Sequence, residues 1–194
     1  MTDVGLVRNH LRALAELAEA VATQFAPDLE ALAQEVQETL DRGGKLLFCG
    51  NGGSAADAQH LATEYVVRFR QDRKALPAMA LTTDSSLLTA CANDRGFETV
   101  FARQLEALGK EGDLLFLHST SGESENLIRA AAVAPALGIR TVALLAKGGG
   151  RLASMVDRSL VVPTDSTARA QELHLACGHI VCELVESRVL ESDE

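Results

Sequence analysis

Short apolar runs alternate with longer amphipathic segments through most of the chain. Five of these runs lack the polar alternation of a half-exposed strand, which is typical of strands covered on both faces of a parallel sheet. They occupy residues 46–49, 78–81, 113–118, 140–145 and 159–163. Segments with helical spacing of apolar residues separate them. The pattern predicts an α/β core over residues 45–194, a three-layer αβα sandwich with a central parallel sheet.

Residues 1–44 precede this core and have the pattern of helices. A helical apolar stripe covers residues 2–24, and residues 29–40 resume the same period. Pro27 lies between them, and a proline inside a helix removes a hydrogen bond and clashes with the preceding turn. The sequence therefore predicts two N-terminal helices within a chain that forms one domain, 1–194. Because such helices have no obvious place on the sheet faces, we expect them to contact another subunit.

The first predicted strand runs directly into a glycine-rich turn. This turn contains Asn51, Gly52 and Gly53, and Ser54 follows at a suitable N-cap position for a helix over residues 55–70. Glycines at a strand-to-helix turn let backbone N–H groups converge, and the helix dipole adds partial positive charge. The turn is therefore suited to an anion, most often a phosphate group. Its spacing matches neither the Walker pattern nor the dinucleotide-binding GxGxxG.

One face of the predicted helix over residues 55–70 combines an acid, a base and a cation. His60 and Glu64 are i, i+4 neighbours, and Arg68 lies one further turn along. Such pairs are common on solvated helices, so a surface ion pair is the simpler interpretation. The anion-binding turn directly upstream favours a functional site instead.

A second strand-turn-helix unit repeats this design after the strand over residues 113–118. Four hydroxyl residues surround a single glycine in its turn: Ser119, Thr120, Ser121 and Ser124. Hydroxyl-rich turns often serve only as helix caps. Two such turns at the carboxyl ends of two strands are a stronger signal, because open α/β sheets bind ligands at that edge.

Two other polar groups have simple structural interpretations. Asn93 and Asp94 fall between predicted helices over residues 85–92 and 97–108, where a turn-forming role would explain them fully. We therefore expect a turn at this position. A ligand-binding role does not follow from the pattern alone.

The last predicted helix, over residues 167–189, carries Gln171, His174 and His179. Gln171 and His179 are eight residues apart, about two helical turns, and so lie on one side of the helix. A single histidine beside an apolar stripe is usually a buried core residue with its hydrogen bonds satisfied. Its position by itself indicates no function.

Composition and charge narrow the class of protein. The chain is 47% hydrophobic and 23% charged, as in an ordinary globular protein. Its net charge of −9 argues against broad binding to nucleic acid or anionic membranes, because no cationic surplus exists to release counterions. No apolar stretch approaches the ~20 residues of a membrane span, and the N-terminus lacks a signal-peptide core, so we expect a cytoplasmic protein. The four cysteines form no CxxC pair and are expected to be buried thiols.

Four motifs in this order resemble the sugar isomerase (SIS) domain family, most closely the bacterial phosphoheptose isomerases. They are CGNGGSAADAQHLATE at 49–64, AND at 92–94, STSGES at 119–124 and TARAQELHLACGH at 167–179. The resemblance covers essentially the whole chain. It implies an isomerase that converts sedoheptulose 7-phosphate into D-glycero-D-manno-heptose 7-phosphate through an enediol. It also implies a homotetramer with active sites built across subunits.

The resemblance assigns roles to the matching residues. Glu64 would be the catalytic base and His179 the second acid/base group, while the serine turn would hold the phosphate. The candidate substrate-binding residues are Asn51, Gly52, Gly53, Ser54, Glu64, Arg68, Asn93, Asp94, Ser119, Thr120, Ser121, Ser124 and Gln171. Several members of the family bind one zinc ion, and the positions that match their ligands are His60, Glu64, Gln171 and His179.

Two alternatives stay open at the level of sequence. A carboxylate bound to zinc is a poorer base, so the metal and base roles of Glu64 compete unless the ligand set changes on substrate binding. The rival function is that of a non-catalytic SIS-domain relative, a binding module associated with the bacterial replication initiator. The presence of Glu64, Gln171 and His179 together favours the enzyme.

Overall fold

The centre of the molecule is a parallel five-stranded sheet, seen in a computed structural model that describes residues 3–192. The strand order is β2-β1-β3-β4-β5, and every neighbouring pair is parallel. The strands are β1 Leu46–Gly50, β2 Ala78–Ala80, β3 Leu114–Ser119, β4 Arg140–Leu145 and β5 Arg158–Val161. All five correspond to predicted runs. Because β1 and β3 are adjacent in the sheet although β2 separates them in sequence, the turns that follow them meet at one edge.

Helices cover both faces of the sheet. The helices are α1 Asp3–Asp41, α2 Gly53–Val66, α3 Ser85–Arg95, α4 Val100–Leu108, α5 Glu125–Val133 and α6 Thr167–Ser192. Short 3₁₀ segments occupy Phe97–Thr99, Ala134–Leu137 and Arg151–Ser154. Alternate strand residues face opposite layers: Phe48 packs with α1, α2 and α6, whereas Leu47 packs with α3, α4 and α5. The expected three-layer sandwich is confirmed.

The prediction of two N-terminal helices is wrong, because α1 continues through Pro27 from Asp3 to Asp41. Its buried residues recur at helical spacing on both sides of the proline, from Val21 and Phe25 to Leu29. Breaking the helix would take one half of this stripe away from the core. Packing therefore outweighs the hydrogen bond that proline removes.

Helix α2 ends at Val66 and not at residue 70. Continuing the helix would direct the N–H of Phe69 to a carbonyl four residues earlier, but this N–H donates to Glu186 Oε1 at 2.9 Å. The carbonyl of Tyr65 accepts instead from Arg73 Nη1 at 2.9 Å. Side chains distant from the helix thus satisfy the groups that would have extended it.

The predicted turn at Asn93 and Asp94 is also wrong. Both residues lie in the last turn of α3, which continues to Arg95. Gly96 is its C-cap with φ 89°, a conformation that glycine adopts without steric cost. The chain changes direction where backbone geometry allows it, two residues later than the side-chain pattern indicates.

Long helices flank the sheet, and none of them has the character of a membrane span. Within residues 3–192, no helix is both long and apolar enough to cross a bilayer.

Candidate active site

The turn after β1 forms one wall of the candidate site. Helix α2 begins at Gly53, and its N-cap is Gly52, with φ 57° and ψ −122°. Ser54 is therefore not the N-cap, contrary to the prediction, and its side chain is buried (4% exposed). A Cβ at Gly53 would lie 2.5 Å from Gln171 Nε2, so glycine here lets α6 approach the turn.

The serine turn after β3 forms the facing wall and is shaped by its own hydroxyls. Ser119 Oγ accepts from the N–H of Gly122 at 3.0 Å, and Ser121 Oγ accepts from the N–H of Glu123 at 3.2 Å. Gly122 has φ 66°, and a Cβ there would overlap the carbonyl oxygen of Gly149. Ser124 is the N-cap residue of α5, but its hydroxyl makes no capping hydrogen bond.

A reciprocal amide pair joins the two turns. Asn51 Nδ2 donates to Asn126 Oδ1 at 2.9 Å, and Asn126 Nδ2 donates to Asn51 Oδ1 at 2.8 Å. Asn126 is buried (3% exposed), and both amides are held in one orientation because each donates and accepts. The pair fixes the spacing of the two walls.

Between the walls lies an uncharged cleft of about 300 Å³. It is lined by Asn51, Gly52, Gly53, Ser54, His118, Ser119, Thr120, Ser121, Ser124, Thr167 and Gln171. Helices α2, α5 and α6 all begin at residues in or next to this lining, so three helix N-termini converge there. Burial lowers the pKa of His118 to about 3, with His174 contributing, so His118 is neutral as well. Anion binding in this cleft would depend on backbone N–H groups, hydroxyls and helix dipoles.

A cluster of three titratable side chains lies further along α2 and α6. The Nε2 atoms of His60 and His179 are 2.9 Å apart, and His60 Nε2 is 3.1 Å from Glu64 Oε1. One ligand atom from each residue lies within 4.8 Å of the others. Two imidazoles and a carboxylate at this spacing form a donor set that suits zinc.

The electrostatics of the cluster favour a neutral imidazole at His179. Its pKa is lowered by burial and by His60, and Glu64 opposes this shift. A neutral ring can accept a proton or coordinate a metal ion, whereas a protonated ring can do neither.

A close helix crossing brings the cluster together. A Cβ at Gly178 would lie 2.6 Å from both Cδ atoms of Leu61, so α2 and α6 approach each other at this glycine. Gly178 and Leu61 are the chain neighbours of His179 and His60. The small residue thus sets the separation of the two imidazoles.

The structure brings only some of the predicted site residues together. Gln171 lines the cleft, and its Nε2 is 3.5 Å from Ser54 Oγ. Arg68 was predicted to share a helical face with His60 and Glu64, but it follows the end of α2 and donates to the carbonyl of Arg70 at 3.3 Å.

Asn93 and Asp94 belong to a different surface of the chain. Asn93 Nδ2 donates to Asp94 Oδ1 at 2.8 Å, and Asp94 lines a separate cleft between α3, α4 and α5. Neither residue lines the cleft between the two turns.

Sequence reasoning missed four contributors to this region: Asn126, Thr167, Gly178 and Phe69. Thr167 lines the cleft at the first residue of α6, and the ring of Phe69 lies against His179. Asn126 and Thr167 lie near helix starts and resemble ordinary cap residues in the sequence. Gly178, a glycine inside a helix and next to His179, was a local signal of a close helix crossing.

The fold and the cleft define the class of protein. An open parallel sheet with a cleft between the turns at the carboxyl ends of two adjacent strands is an α/β domain of the type that binds ligands at this edge. The sequence profile of the SIS domain matches residues 9–146, and the chain belongs to that family.

Relatives cover nearly the whole chain. The phosphoheptose isomerase of Akkermansia muciniphila is 49% identical over 183 residues, covering 94% of this chain and 96% of the relative. The solved phosphoheptose isomerase GmhA of Neisseria gonorrhoeae is 39% identical, with a TM-score of 0.91, and covers 96% of this chain and 100% of its own. That of Francisella tularensis is 35% identical, with a TM-score of 0.93 and the same coverage. The expected resemblance and the expectation of an enzyme are both confirmed.

Proposed function

We propose that this protein is an aldose–ketose isomerase that converts sedoheptulose 7-phosphate into D-glycero-D-manno-heptose 7-phosphate. The observation that carries the proposal is the arrangement along α2 and α6. Their N-termini line the uncharged cleft, and the His60, Glu64 and His179 cluster lies further along the same two helices. From Gly53 to His60 is about two turns, on the order of 10 Å, which suits a seven-carbon chain with a phosphate at one end.

The cleft is the proposed phosphate end of the site. Ser119, Thr120, Ser121 and Ser124 would bind the phosphate, with the turn of Asn51, Gly52, Gly53 and Ser54 lining the sugar. The three converging helix N-termini offer backbone donors and partial positive charge to a dianion. Binding at this end would hold the sugar in one orientation relative to the cluster.

Glu64 and His179 are the proposed proton-transfer groups. Glu64 would remove a proton from C1 of the ketose while the oxygen on C2 gains one, which gives a cis-enediol. Returning a proton to C2 and removing one from the oxygen on C1 completes the aldose. The neutral imidazole of His179 can take the proton of the hydroxyl on C1 and, once protonated, give it to the oxygen on C2, and general acid–base catalysis of this kind contributes ~10²–10⁴-fold.

The cluster also fits the zinc ion that the family resemblance implies. His60, Glu64 and His179 would hold it, and Gln171, which lines the cleft, is proposed as the fourth ligand. Because a zinc-bound carboxylate is a poorer base, the proposal requires this ligand set to change when substrate binds. Bound zinc would polarise the carbonyl oxygen of the substrate.

We further propose a cytoplasmic homotetramer that acts without nucleic acid or membrane partners. Asn93 and Asp94 lie away from the cleft of their own chain, so their proposed contact with the sugar requires a second copy. Arg68, on the exposed segment after α2, is a further proposed contact. The net charge of −9 supports the absence of polyanionic partners.

The test is incubation of the purified protein with sedoheptulose 7-phosphate, with and without a zinc chelator, while aldose formation is followed. Glu64→Gln should abolish turnover yet keep sugar-phosphate binding, because the cleft residues are untouched. Glu111→Gln, which alters an exposed carboxylate in the loop before β3, is the control and should leave turnover unchanged. Substantial activity in Glu64→Gln would reject the base assignment. A wild-type protein that binds the sugar phosphate without converting it would instead favour the non-catalytic binding relative.

A further inference from the structure

The segment over residues 67–76, between α2 and β2, is anchored to α6 by one carboxylate. Glu186 accepts from three consecutive backbone N–H groups. Oε1 accepts from Phe69 at 2.9 Å, and Oε2 accepts from Arg70 at 2.8 Å and Gln71 at 3.0 Å. The Glu186 side chain is 4% exposed, so these bonds are made away from bulk solvent. Burial tends to raise the pKa of Glu186, but these backbone bonds and Arg73 lower it overall, so the carboxylate stays charged.

Arg73 extends this anchor to the end of α2. Its Nε is 3.3 Å from Glu186 Oε1, and the two side chains are only 2% and 4% exposed. The same guanidinium donates to the carbonyl of Glu64 at 2.7 Å and to that of Tyr65 at 2.9 Å. The buried ion pair therefore holds the backbone of Glu64 directly.

Phe69 connects the anchored segment to the other proposed proton-transfer group. Its ring lies 5.4 Å from the imidazole of His179, centroid to centroid, with the planes inclined by 31°. The N–H of Phe69 is one of the three groups bound by Glu186. A contact path therefore runs from Glu186 to His179 through Phe69 and to Glu64 through Arg73.

We propose that Glu186, Arg73 and Phe69 are positioning residues that keep Glu64 and His179 in the geometry needed for metal binding and proton transfer. The inference rests on the proposed function. Taking two charges out of water is unfavourable, and a surface loop without a positioning role does not require a buried ion pair. The three backbone hydrogen bonds to Glu186 and its ion pair with Arg73 together fix both the end of α2 and the ring packed on His179. Changing supporting groups of this kind typically weakens metal binding or activity by about 10–100-fold.

Two variants test the proposal at different points of the path. Glu186→Gln removes the charge and one acceptor oxygen, and Phe69→Ala removes the ring while leaving the ion pair intact. The dissociation constant for zinc, measured by competition with a chelating dye, should rise about tenfold in both variants. The kcat should fall about tenfold, with KM for the sugar phosphate within about twofold, because the cleft is unchanged. Phe69→Tyr keeps an aromatic ring and should restore both quantities.

Glu191→Gln is the matched control, because it removes the charge of an exposed glutamate further along the same helix. It should leave zinc affinity and kcat unchanged. If Glu186→Gln does not fold, Phe69→Ala alone tests the proposal. Phe69 is only half-buried, so we expect its replacement by alanine to leave the protein folded. Folded Phe69→Ala protein with wild-type zinc affinity and wild-type kcat would overturn the proposal.

The wild-type protein separates this inference from the proposed function. If the wild type binds zinc but does not convert the sugar phosphate, the proposed reaction is contradicted. The positioning role is then tested by the zinc affinities of the variants alone. If the wild type converts the sugar phosphate but does not bind zinc, the positioning role is tested by the kcat values of the variants alone. A wild-type protein that does neither overturns both.

Discussion

At the scale of single residues, two buried histidines near the cleft differ in their hydrogen bonds: His174 has a partner for one ring nitrogen, whereas His118 has none among the described residues. His174 Nε2 is 2.9 Å from the carbonyl oxygen of Leu145, so that nitrogen carries the proton. Neither ring nitrogen of His118 has a hydrogen-bond partner within the part of the chain that the structure describes, and its ring is 6.4 Å from that of His174. Burial lowers the pKa of both rings, and for His118 the value reaches about 3. Protonating either ring in the folded protein is therefore unfavourable.

This arrangement predicts a loss of stability in mild acid. An unfolded histidine takes up a proton below its ordinary pKa of about 6.5, whereas folded His118 resists protonation down to about pH 3. Its contribution is therefore fully present above pH 6.5 and is lost as the pH falls towards 3. Between about pH 7.5 and 5.5 the wild type should lose on the order of 1 kcal/mol more unfolding free energy than His118→Phe, measured by urea denaturation. His10→Gln, at an exposed position, should behave as the wild type, and equal losses in His118→Phe would contradict the prediction.

At the scale of elements, the site depends on how closely α2 and α6 cross. Gly178 has no Cβ, and Leu61 packs into the space that a Cβ would occupy. Each residue is next to one of the two histidines of the cluster, so a change in helix separation transfers directly to the distance between the imidazoles. The same two helices carry the cleft at their N-termini.

Gly178→Ala tests the crossing. In an isolated helix this substitution would stabilise by about 0.5–1 kcal/mol, but the new methyl would lie 2.6 Å from Leu61. We expect a net destabilisation of about 1–3 kcal/mol from overpacking, together with weaker zinc binding. Urea denaturation and dye competition measure the two effects. Adding Leu61→Ala should restore zinc binding in the Gly178→Ala background by making room for the methyl, and a Gly178→Ala protein of higher stability and unchanged affinity would refute the account.

At the scale of the whole molecule, the N-terminal part of α1 presents apolar side chains to solvent. The buried residues of α1 begin only at Val21. Four large apolar residues before it are about half or more exposed: Val4, Leu6, Val7 and Leu11. A groove of about 450 Å³ between α1 and α6 is also mainly apolar. Because exposed apolar surface of this extent is typical of interaction sites, we expect this part of α1 to contact another chain, which is the role predicted for residues 1–44.

Sedimentation velocity at micromolar concentration measures the predicted assembly. We expect the wild type to sediment as a tetramer and Val7→Glu/Leu11→Glu to shift towards smaller species, because charges would be buried in the interface. Ala75→Glu, which adds a charge at an exposed loop position, should not change the assembly. A monomeric wild type would contradict the prediction.

Local sequence patterns were sufficient to predict much of the architecture. An apolar run without alternation needs cover on both faces, so residues 46–49 and 113–118 could be recognised as buried parallel strands. Glycine and serine after each strand indicated the two turns, and their meeting follows from the geometry of parallel sheets. The i, i+4 spacing of His60 and Glu64 also follows from one helix.

Tertiary contacts decided what local chemistry left open. Pro27 lies inside a continuous helix because the apolar stripe on both sides packs on one core, and α2 ends at Val66 because Arg73 and Glu186 bind the groups that would extend it. The meeting of His179 with His60 depends on a crossing between helices more than 100 positions apart in sequence. The periodicity of a sequence shows which face of a helix is apolar. Which element packs against that face depends on the tertiary fold, because the partner is distant in sequence.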